Sequence, residues 1–287
     1  MKELIFGGVM ALRPKQWTKN FLLFVAPFAA GVEFSRNTLL HLFLGFLAFC
    51  ASSSIGYVWN DLNDKAIDKL HPKKRLRPFA AEVLSTRAGM YLIVTLTVLL
   101  FFLALELPQE FTAVVVIYLF NTLLYTTFIK RIPVIEMFSV AFGFILRLIA
   151  GAIVLDLQIS EWFLIVGGFG ALFIVTAKRL AEFKQAESRQ VRKVIDTYTS
   201  EFLYSITSIS VAVSVTAFCI WAFSQEQNPF WYQISVVPFV MGIFRYRWMS
   251  ESIIVEVPED AILKDRTLLS LSVCLMLCLT IAIFYDF

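Results

Sequence analysis

Long apolar stretches are the feature that most constrains this chain. Hydrophobic residues make up 59% of its 287 residues and charged residues 16%, whereas soluble domains have about 45–50% apolar and 25% charged residues. Runs long enough to cross a bilayer as helices lie at 17–34, 38–59, 88–106, 111–129, 134–155, 161–177, 204–224, 230–244 and 267–285. The pattern predicts an all-α integral membrane protein with nine transmembrane helices, forming a single polytopic membrane domain over residues 1–287.

Basic residues alternate from one side of these runs to the other. The segments on the side of the N-terminus contain 23 of the 25 lysines and arginines; they are residues 1–19, 60–87, 129–133, 178–203 and 245–266. Because cytoplasmic loops carry the excess of Lys and Arg, we expect a cytoplasmic N-terminus and an outer C-terminus in the inner cell membrane. Polar chemistry is then expected in the three long cytoplasmic loops, at about 60–87, 178–203 and 245–266.

The first of these loops opens with a regular acidic pattern. Asn60, Asp64 and Asp68 are spaced by four residues, so a helix would place them on one face, with Asp61 beside them. Carboxylate and amide oxygens suit Mg²⁺, which completes its shell with water and substrate phosphates. The spacing therefore favours a magnesium site.

A basic cluster follows the acidic pattern directly. It comprises Lys73, Lys74, Arg75 and Arg77. Ammonium and guanidinium groups in such a cluster bind phosphate oxygens, so the loop suits a multiply phosphorylated ligand. The alternative is a solvated loop of mixed charge, which is common between transmembrane helices, but the regular acidic spacing favours a site.

Two further basic positions are candidates for binding. Arg147 lies inside an apolar run, where an arginine is costly unless it faces the bundle interior and finds an anion; the alternative is that it pairs with a buried carboxylate such as Glu136. Lys178 and Arg179 leave another apolar run. They either dock on lipid headgroups or point into a cavity shared with the acidic residues of the first loop.

These motifs resemble the UbiA superfamily of membrane prenyltransferases. NDLNDKAID matches its Asn-Asp-x-x-Asp-x-x-x-Asp signature. The likeness is closer to one branch, the decaprenyl-phosphate phosphoribosyltransferases, through LRPKQWTKN (12–20), HPKKRLRP (71–78), YTTFIKRIPVIE (125–136), FGFILRLIAGA (142–152), KRLAEFKQAE (178–187), YTSEFL (198–203) and RYRW…PEDAILKDR (245–266). Two departures stand out. KRLAE replaces the second aspartate-rich motif of the members that prenylate aromatic acceptors, and Glu136 stands where this branch is expected to have an aspartate.

The resemblance implies nine transmembrane helices around a central cavity open to the cytoplasmic face. It also implies an enzyme, a glycosyltransferase of the pentosyltransferase type. With Mg²⁺ as cofactor, this enzyme transfers 5-phosphoribose from 5-phosphoribosyl diphosphate to a polyprenyl phosphate of the decaprenyl type and releases diphosphate. Such a product is a precursor for cell-wall synthesis.

The site residues that the resemblance implies fall into three groups. The catalytic residues are Asp61, Asp64, Asp68 and Glu182. The metal ligands are Asn60, Asp61, Asp64 and Asp68. The substrate-binding residues are Lys15, Lys19, Asn60, Lys73, Arg75, Arg77, Tyr125, Lys130, Arg147, Lys178 and Arg179.

Two alternatives remain open. One is UbiA-type transfer of a prenyl group from a prenyl diphosphate to an aromatic or other small acceptor, which uses the same metal–diphosphate chemistry with fewer cations. The other is a lipid-binding or transport protein without enzymatic activity, although transporter sites tend to lie near the bilayer midplane and the polar motifs here crowd one face. The expected partners are the membrane, a phosphoribosyl donor and a lipid-phosphate acceptor, without nucleic acid. Small residues near Arg147 also permit helix contacts within a subunit or in a homo-oligomer.

Overall fold

The computed structural model describes residues 2–186, 197–252 and 265–285, which are helical or lie in turns. The middle parts of the predicted loops 178–203 and 245–266 lie outside the described residues. The α-helices are α1 (Lys2–Leu12), α2 (Val25–Ala29), α3 (Arg36–Asn63), α4 (Lys65–Leu70), α5 (Thr86–Glu106), α6 (Gln109–Thr127), α7 (Ile135–Ile153), α8 (Glu161–Ala186), α9 (Ser200–Phe223), α10 (Pro229–Ser252) and α11 (Arg266–Phe284). In the described part of the chain, 3₁₀ helices cover Pro14–Phe24, Lys74–Leu76 and Ile129–Arg131.

Seven of these helices are long and apolar enough to cross a membrane, within the part of the chain that the structure describes. They are α3, α5, α6, α7, α8, α9 and α11. The first predicted span instead consists of the 3₁₀ helix Pro14–Phe24 followed by α2. The eighth is α10, which continues through Pro238 but is not among the seven. The all-helical architecture is confirmed, while the count of nine spans stays a prediction.

The helices group into two compact units. The first unit comprises residues 1–28, 32–130 and 146–158, and the second comprises 29–31, 131–145 and 159–287. The acidic motif, the basic cluster and Arg147 belong to the first unit. Glu136, Arg179 and Glu182 belong to the second.

The 3₁₀ helix Pro14–Phe24 is packed into the first unit. Its three-residue period places Trp17, Asn20 and Leu23 in one row, and this row faces the other helices of the unit. Trp17 Nε1 donates to Ser54 Oγ of α3 at 3.1 Å, while Asn20 and Leu23 are fully buried. A Cβ added to Gly151 of α7 would lie 2.0 Å from the Leu23 carbonyl oxygen, so only glycine permits this contact.

Polar side chains determine where several long helices begin. Ser35, Ser85, Thr199 and Asp265 each accept a hydrogen bond from the backbone N–H three residues later, at the starts of α3, α5, α9 and α11. These bonds satisfy amides that have no partner within the helix. Asp265 also accepts hydrogen bonds from Arg245, which hold the pKa of its carboxyl below the usual value.

Candidate active site

The acidic motif lies where α3 ends and α4 begins. Backbone bonds from Asp64 N to Asn60 O at 2.9 Å and from Asp68 N to Asp64 O at 2.8 Å continue the helical pattern. Asp64 itself, however, has φ −92° and ψ 4°, which is turn geometry. The single helical face predicted for this motif is therefore interrupted at Asp64, and its carboxylate has a different partner from those of Asp61 and Asp68.

Asp61 and Asp68 share an arginine. Arg77 Nη1 lies 2.7 Å from Asp68 Oδ2 and 3.1 Å from Asp61 Oδ1. A second arginine, Arg13, donates from Nη2 to the same Asp61 oxygen at 2.6 Å and lies over the Tyr57 ring. Both carboxylates are almost fully buried, while each arginine side chain keeps 25% of its surface accessible. Two like charges held close together require such a cation between them.

Asp64 is paired with Lys130 from the 3₁₀ helix after α6. Lys130 Nζ lies 2.7 Å and 2.9 Å from the two Asp64 oxygens. The pair joins positions 66 residues apart. It brings together two residues predicted for the site, one as a metal ligand and one as a substrate-binding residue.

The basic cluster is organised by His71. Its Nδ1 accepts hydrogen bonds from the backbone N–H groups of Lys73 and Lys74, at 3.2 Å and 3.3 Å. Burial, together with the neighbouring Lys74, lowers the pKa of His71 below 6.5, which favours the neutral ring that this acceptor role needs. The imidazole therefore shapes the turn from which Lys73 and Arg75 extend into solvent.

The donor set of this motif fits Mg²⁺, a hard cation that binds oxygen ligands. Among the described residues, no three acidic, histidine or cysteine side chains converge as a ready metal cage. Mg²⁺ commonly uses one or two carboxylates and substrate phosphates rather than an all-protein cage. Since Asp61, Asp64 and Asp68 each accept a hydrogen bond from a cation, a metal at this motif competes with these cations for the carboxylate oxygens.

Arg147 is enclosed within the first unit, with 4% of its surface accessible. Its Nε donates to Asn20 Oδ1 at 2.8 Å and its Nη2 to Tyr118 Oη at 2.7 Å. The guanidinium thus connects α7 with the 3₁₀ helix Pro14–Phe24 and with α6. The sequence is compatible with a pairing of Arg147 with Glu136, but Glu136 binds Arg179 through both of its carboxylate oxygens.

The second unit contains its own charged cluster, centred on Arg179 of α8. Arg179 Nε and Nη2 each lie 2.6 Å from a different Glu136 oxygen, and Nη1 donates to Glu182 at 2.7 Å. Glu136 is fully buried and Arg179 is 4% accessible. Glutamate at position 136, where an aspartate was expected, is thus the bidentate partner of a residue predicted to bind phosphate.

Tyr198 lies beside this cluster and holds the start of α7. Its hydroxyl oxygen accepts a hydrogen bond from Val134 N at 2.7 Å, and Val134 has φ +68°, which a β-branched residue seldom adopts. Burial first, and the charge of Glu136 in addition, raise the pKa of Tyr198. The contact fixes the turn that directs Glu136 inward.

Arg13 and His71 are the residues that sequence reasoning missed. Arg13 belongs to the LRPKQWTKN segment and lies in a turn between α1 and the 3₁₀ helix with φ +52°, but its partner is 48 residues away and no local spacing indicates it. Of the other predicted binding residues, Lys15 is exposed, and Lys19, Asn60, Tyr125 and Lys178 are partly buried. The substrate-binding roles of these five residues stay predictions.

Comparisons with known proteins show which family the chain resembles. A family model described as the UbiA prenyltransferase family matches residues 21–253. A decaprenyl-phosphate phosphoribosyltransferase of Corynebacterium glutamicum is 35% identical over 99% of this chain and 88% of its own length. The protein of the same name from Mycolicibacterium smegmatis is 34% identical over 93% of this chain and 89% of its own length.

Solved structures share the fold at low sequence identity. A UbiA homologue from Archaeoglobus fulgidus, bound to DMAPP and Mg²⁺, superposes with a TM-score of 0.74 at 16% identity, covering 95% of this chain and 96% of the other. A digeranylgeranylglyceryl phosphate synthase gives a TM-score of 0.72 at 16% identity over 99% of both chains. At these identities the likeness establishes the helical architecture alone.

Proposed function

The chain belongs to the UbiA prenyltransferase family, and we propose that it transfers 5-phosphoribose from 5-phosphoribosyl diphosphate to a polyprenyl phosphate of the decaprenyl type. The observation that carries this proposal is the likeness to decaprenyl-phosphate phosphoribosyltransferases along nearly the whole chain. The acidic motif with its three cations supports it, because the reaction must bind a diphosphate and stabilise its departure.

The reaction needs a nucleophile and a leaving group, and both are phosphates. An oxygen of the acceptor phosphate attacks C1 of the ribose while the bond from C1 to the diphosphate oxygen breaks. The acceptor is already ionised at neutral pH, so no strong general base is required. Histidine is correspondingly scarce, with two residues in the chain.

The proposed roles follow from the contacts of the first unit. Asp61, Asp64 and Asp68, with Asn60, would hold Mg²⁺, which neutralises charge on the leaving diphosphate as a Lewis acid. Arg77 and Lys130 have partly accessible side chains and would bind phosphate oxygens, Arg77 with two donors at once. Lys15, Lys19, Lys73, Arg75, Tyr125 and Arg147 of this unit remain proposed contacts to the donor or the acceptor, as do Lys178 and Arg179 of the second unit.

In the second unit we assign different tasks to the two carboxylates on Arg179. Glu136 is fully buried, whereas the Glu182 side chain keeps 23% of its surface accessible. Departure of the diphosphate leaves positive charge on the ribose, which a carboxylate stabilises. Glu182 is therefore the proposed catalytic carboxylate, and Glu136 holds the arginine in place.

The protein is a multi-pass membrane protein by family and by the seven candidate spans among the residues that the structure describes. We propose that it lies in the inner cell membrane with the N-terminus in the cytoplasm and the C-terminus outside, because the predicted cytoplasmic segments hold nearly all of the basic residues. The acidic motif would then face the compartment that supplies a water-soluble donor.

A direct transfer assay tests the function. Purified protein in detergent receives Mg²⁺, a polyprenyl phosphate and radiolabelled 5-phosphoribosyl diphosphate, and the organic phase is counted with and without EDTA. We expect label in the lipid only with the metal. Absence of label, together with prenyl transfer from a prenyl diphosphate to an aromatic acceptor, would reject phosphoribosyl transfer in favour of prenyl transfer.

A further inference from the structure

The three carboxylates of the acidic motif are each bound by a cation of the first unit. Asp61 binds Arg13 and Arg77, Asp68 binds Arg77, and Asp64 binds Lys130. Three negative charges are thus balanced by three positive ones. A divalent metal that arrives alone is therefore not attracted by a net negative charge, and it must compete with the three cations for the carboxylate oxygens.

We propose that Arg13, Arg77 and Lys130 are exchangeable counter-ions that make metal binding at the acidic motif depend on the donor. Before the donor binds, they occupy the carboxylates. When a diphosphate arrives with its metal, the cations move to the diphosphate oxygens and leave the carboxylates to the metal. This inference deepens the proposed function and rests on it for the identity of the donor.

The positions of the three cations allow such an exchange. Arg13 lies in the turn before a 3₁₀ helix, Arg77 directly follows the 3₁₀ helix Lys74–Leu76, and Lys130 lies within the 3₁₀ helix Ile129–Arg131. None lies inside a long α-helix. Their side chains retain 18–25% of their surface accessible, so each can change partner by rotating its side chain, without unwinding a transmembrane helix.

The proposed exchange predicts that each cation affects the affinity for the metal and the affinity for diphosphate in opposite directions. Each cation opposes binding of the metal alone and favours binding of the diphosphate. Removing one cation should therefore strengthen metal binding, because a repulsion is lost, and weaken diphosphate binding, because an attraction is lost. An ion pair that merely supports the fold would change both affinities in the same direction or neither.

The experiment uses Mn²⁺ as the probe and the full-length protein in detergent without donor. Free Mn²⁺ is counted by its electron paramagnetic resonance signal for the wild type, Lys130→Met and Arg13→Gln. We expect both variants to bind Mn²⁺ on the order of tenfold more tightly and inorganic diphosphate more weakly. Lys69→Met is the matched control, because Lys69 lies in α4 next to the acidic motif but pairs with the exposed Glu82 at 2.6 Å. The Mn²⁺ affinity of this variant should equal that of the wild type.

Two results would overturn the inference. One is unchanged or weaker Mn²⁺ binding in both Lys130→Met and Arg13→Gln. The other is unchanged Mn²⁺ binding in Asp61→Asn, since the metal would then lie elsewhere. Neither binding measurement depends on transfer. If the protein transferred no phosphoribose while the variants bound Mn²⁺ more tightly and diphosphate more weakly, the proposed function would be rejected and the inference on the counter-ions would stand.

Discussion

The acidic motif of the first unit and the Arg179 cluster of the second both pair carboxylates with cationic side chains but differ in charge balance and burial. In the first unit, three carboxylates meet three cations whose side chains are partly accessible. In the second, two carboxylates hold one arginine that is 4% accessible and bound in bidentate fashion. Accessible cations can be exchanged for other charges, whereas a buried bidentate pair is costly to separate. The first cluster is therefore suited to exchanging its partners, and the buried Glu136–Arg179 pair of the second is suited to holding its geometry fixed.

The largest effect is expected from Asp64→Asn. It removes one charge from the acidic motif at a side chain that is 25% accessible, so turnover should fall about 10³-fold or more as the metal is lost while thermal stability changes little. Turnover is measured with the radiolabel assay. Glu82→Gln, which changes an exposed carboxylate of the same loop, should retain activity, and near-normal turnover of Asp64→Asn would remove the proposed metal role.

Glu136→Gln should disrupt the Arg179 cluster and lower the stability of the protein. Arg179 would keep a buried charge without its bidentate partner, which costs about 3 kcal/mol in the free energy of unfolding. Thermal unfolding in detergent measures the change. Glu182→Gln removes the other carboxylate from the same arginine at a more accessible position and should cost less than about 1 kcal/mol. Equal losses in the two variants would show that burial does not distinguish the two pairs.

Arg147→Met tests whether the buried contacts of Arg147 stabilise the fold, as those of Arg179 are expected to do. The substitution leaves Asn20 and Tyr118 without their shared donor, so we expect a loss of about 2 kcal/mol, seen as a lower unfolding temperature. Arg36→Met, at the exposed start of α3, serves as the control and should be neutral. Unchanged stability with a raised KM for the acceptor would instead support the predicted role of Arg147 in substrate binding.

The smallest expected effect concerns His71 and pH. Its pKa in the folded protein lies below 6.5, so the neutral ring stabilises the basic turn fully above pH 6.5, and this contribution is lost as the pH falls from 6.5 through the folded pKa. The unfolding temperature of the wild type relative to His71→Asn should therefore drop on acidification, by about 2 °C or less. Asn can accept the same backbone bonds without titrating. A difference that stays constant with pH would show that the ring does not act through its neutral form.

Sequence patterns predicted what depends on local spacing or composition. Apolar runs located the long helices, and the acidic spacing led to Asp61 and Asp68, which the structure brings together on Arg77. Arg77 is close in sequence to both and was itself predicted. The break at Asp64 was not predicted, because a four-residue period does not reveal where a helix ends.

Contacts between residues far apart in the sequence could not be predicted from local patterns. The pairs Arg13–Asp61 and Arg179–Glu136 join residues 48 and 43 positions apart, and their geometry depends on how whole helices pack. The glutamate at position 136, where an aspartate was expected, is likewise explained only by its distant partner Arg179, which it binds with both carboxylate oxygens. The apolar run 17–34 predicts a transmembrane helix, whereas the chain adopts a 3₁₀ helix up to Phe24.

That 3₁₀ helix changes how far a short piece of chain can reach. A 3₁₀ helix rises about 2.0 Å per residue, so the 11 residues of Pro14–Phe24 extend about 22 Å, against roughly 16 Å for an α-helix of equal length. The five residues of α2 add about 7 Å. Residues 14–29 thus have a contour close to the roughly 30 Å of a hydrocarbon layer. Because of this stretched geometry, residues 14–29 cover a distance for which a regular α-helix needs about four more residues.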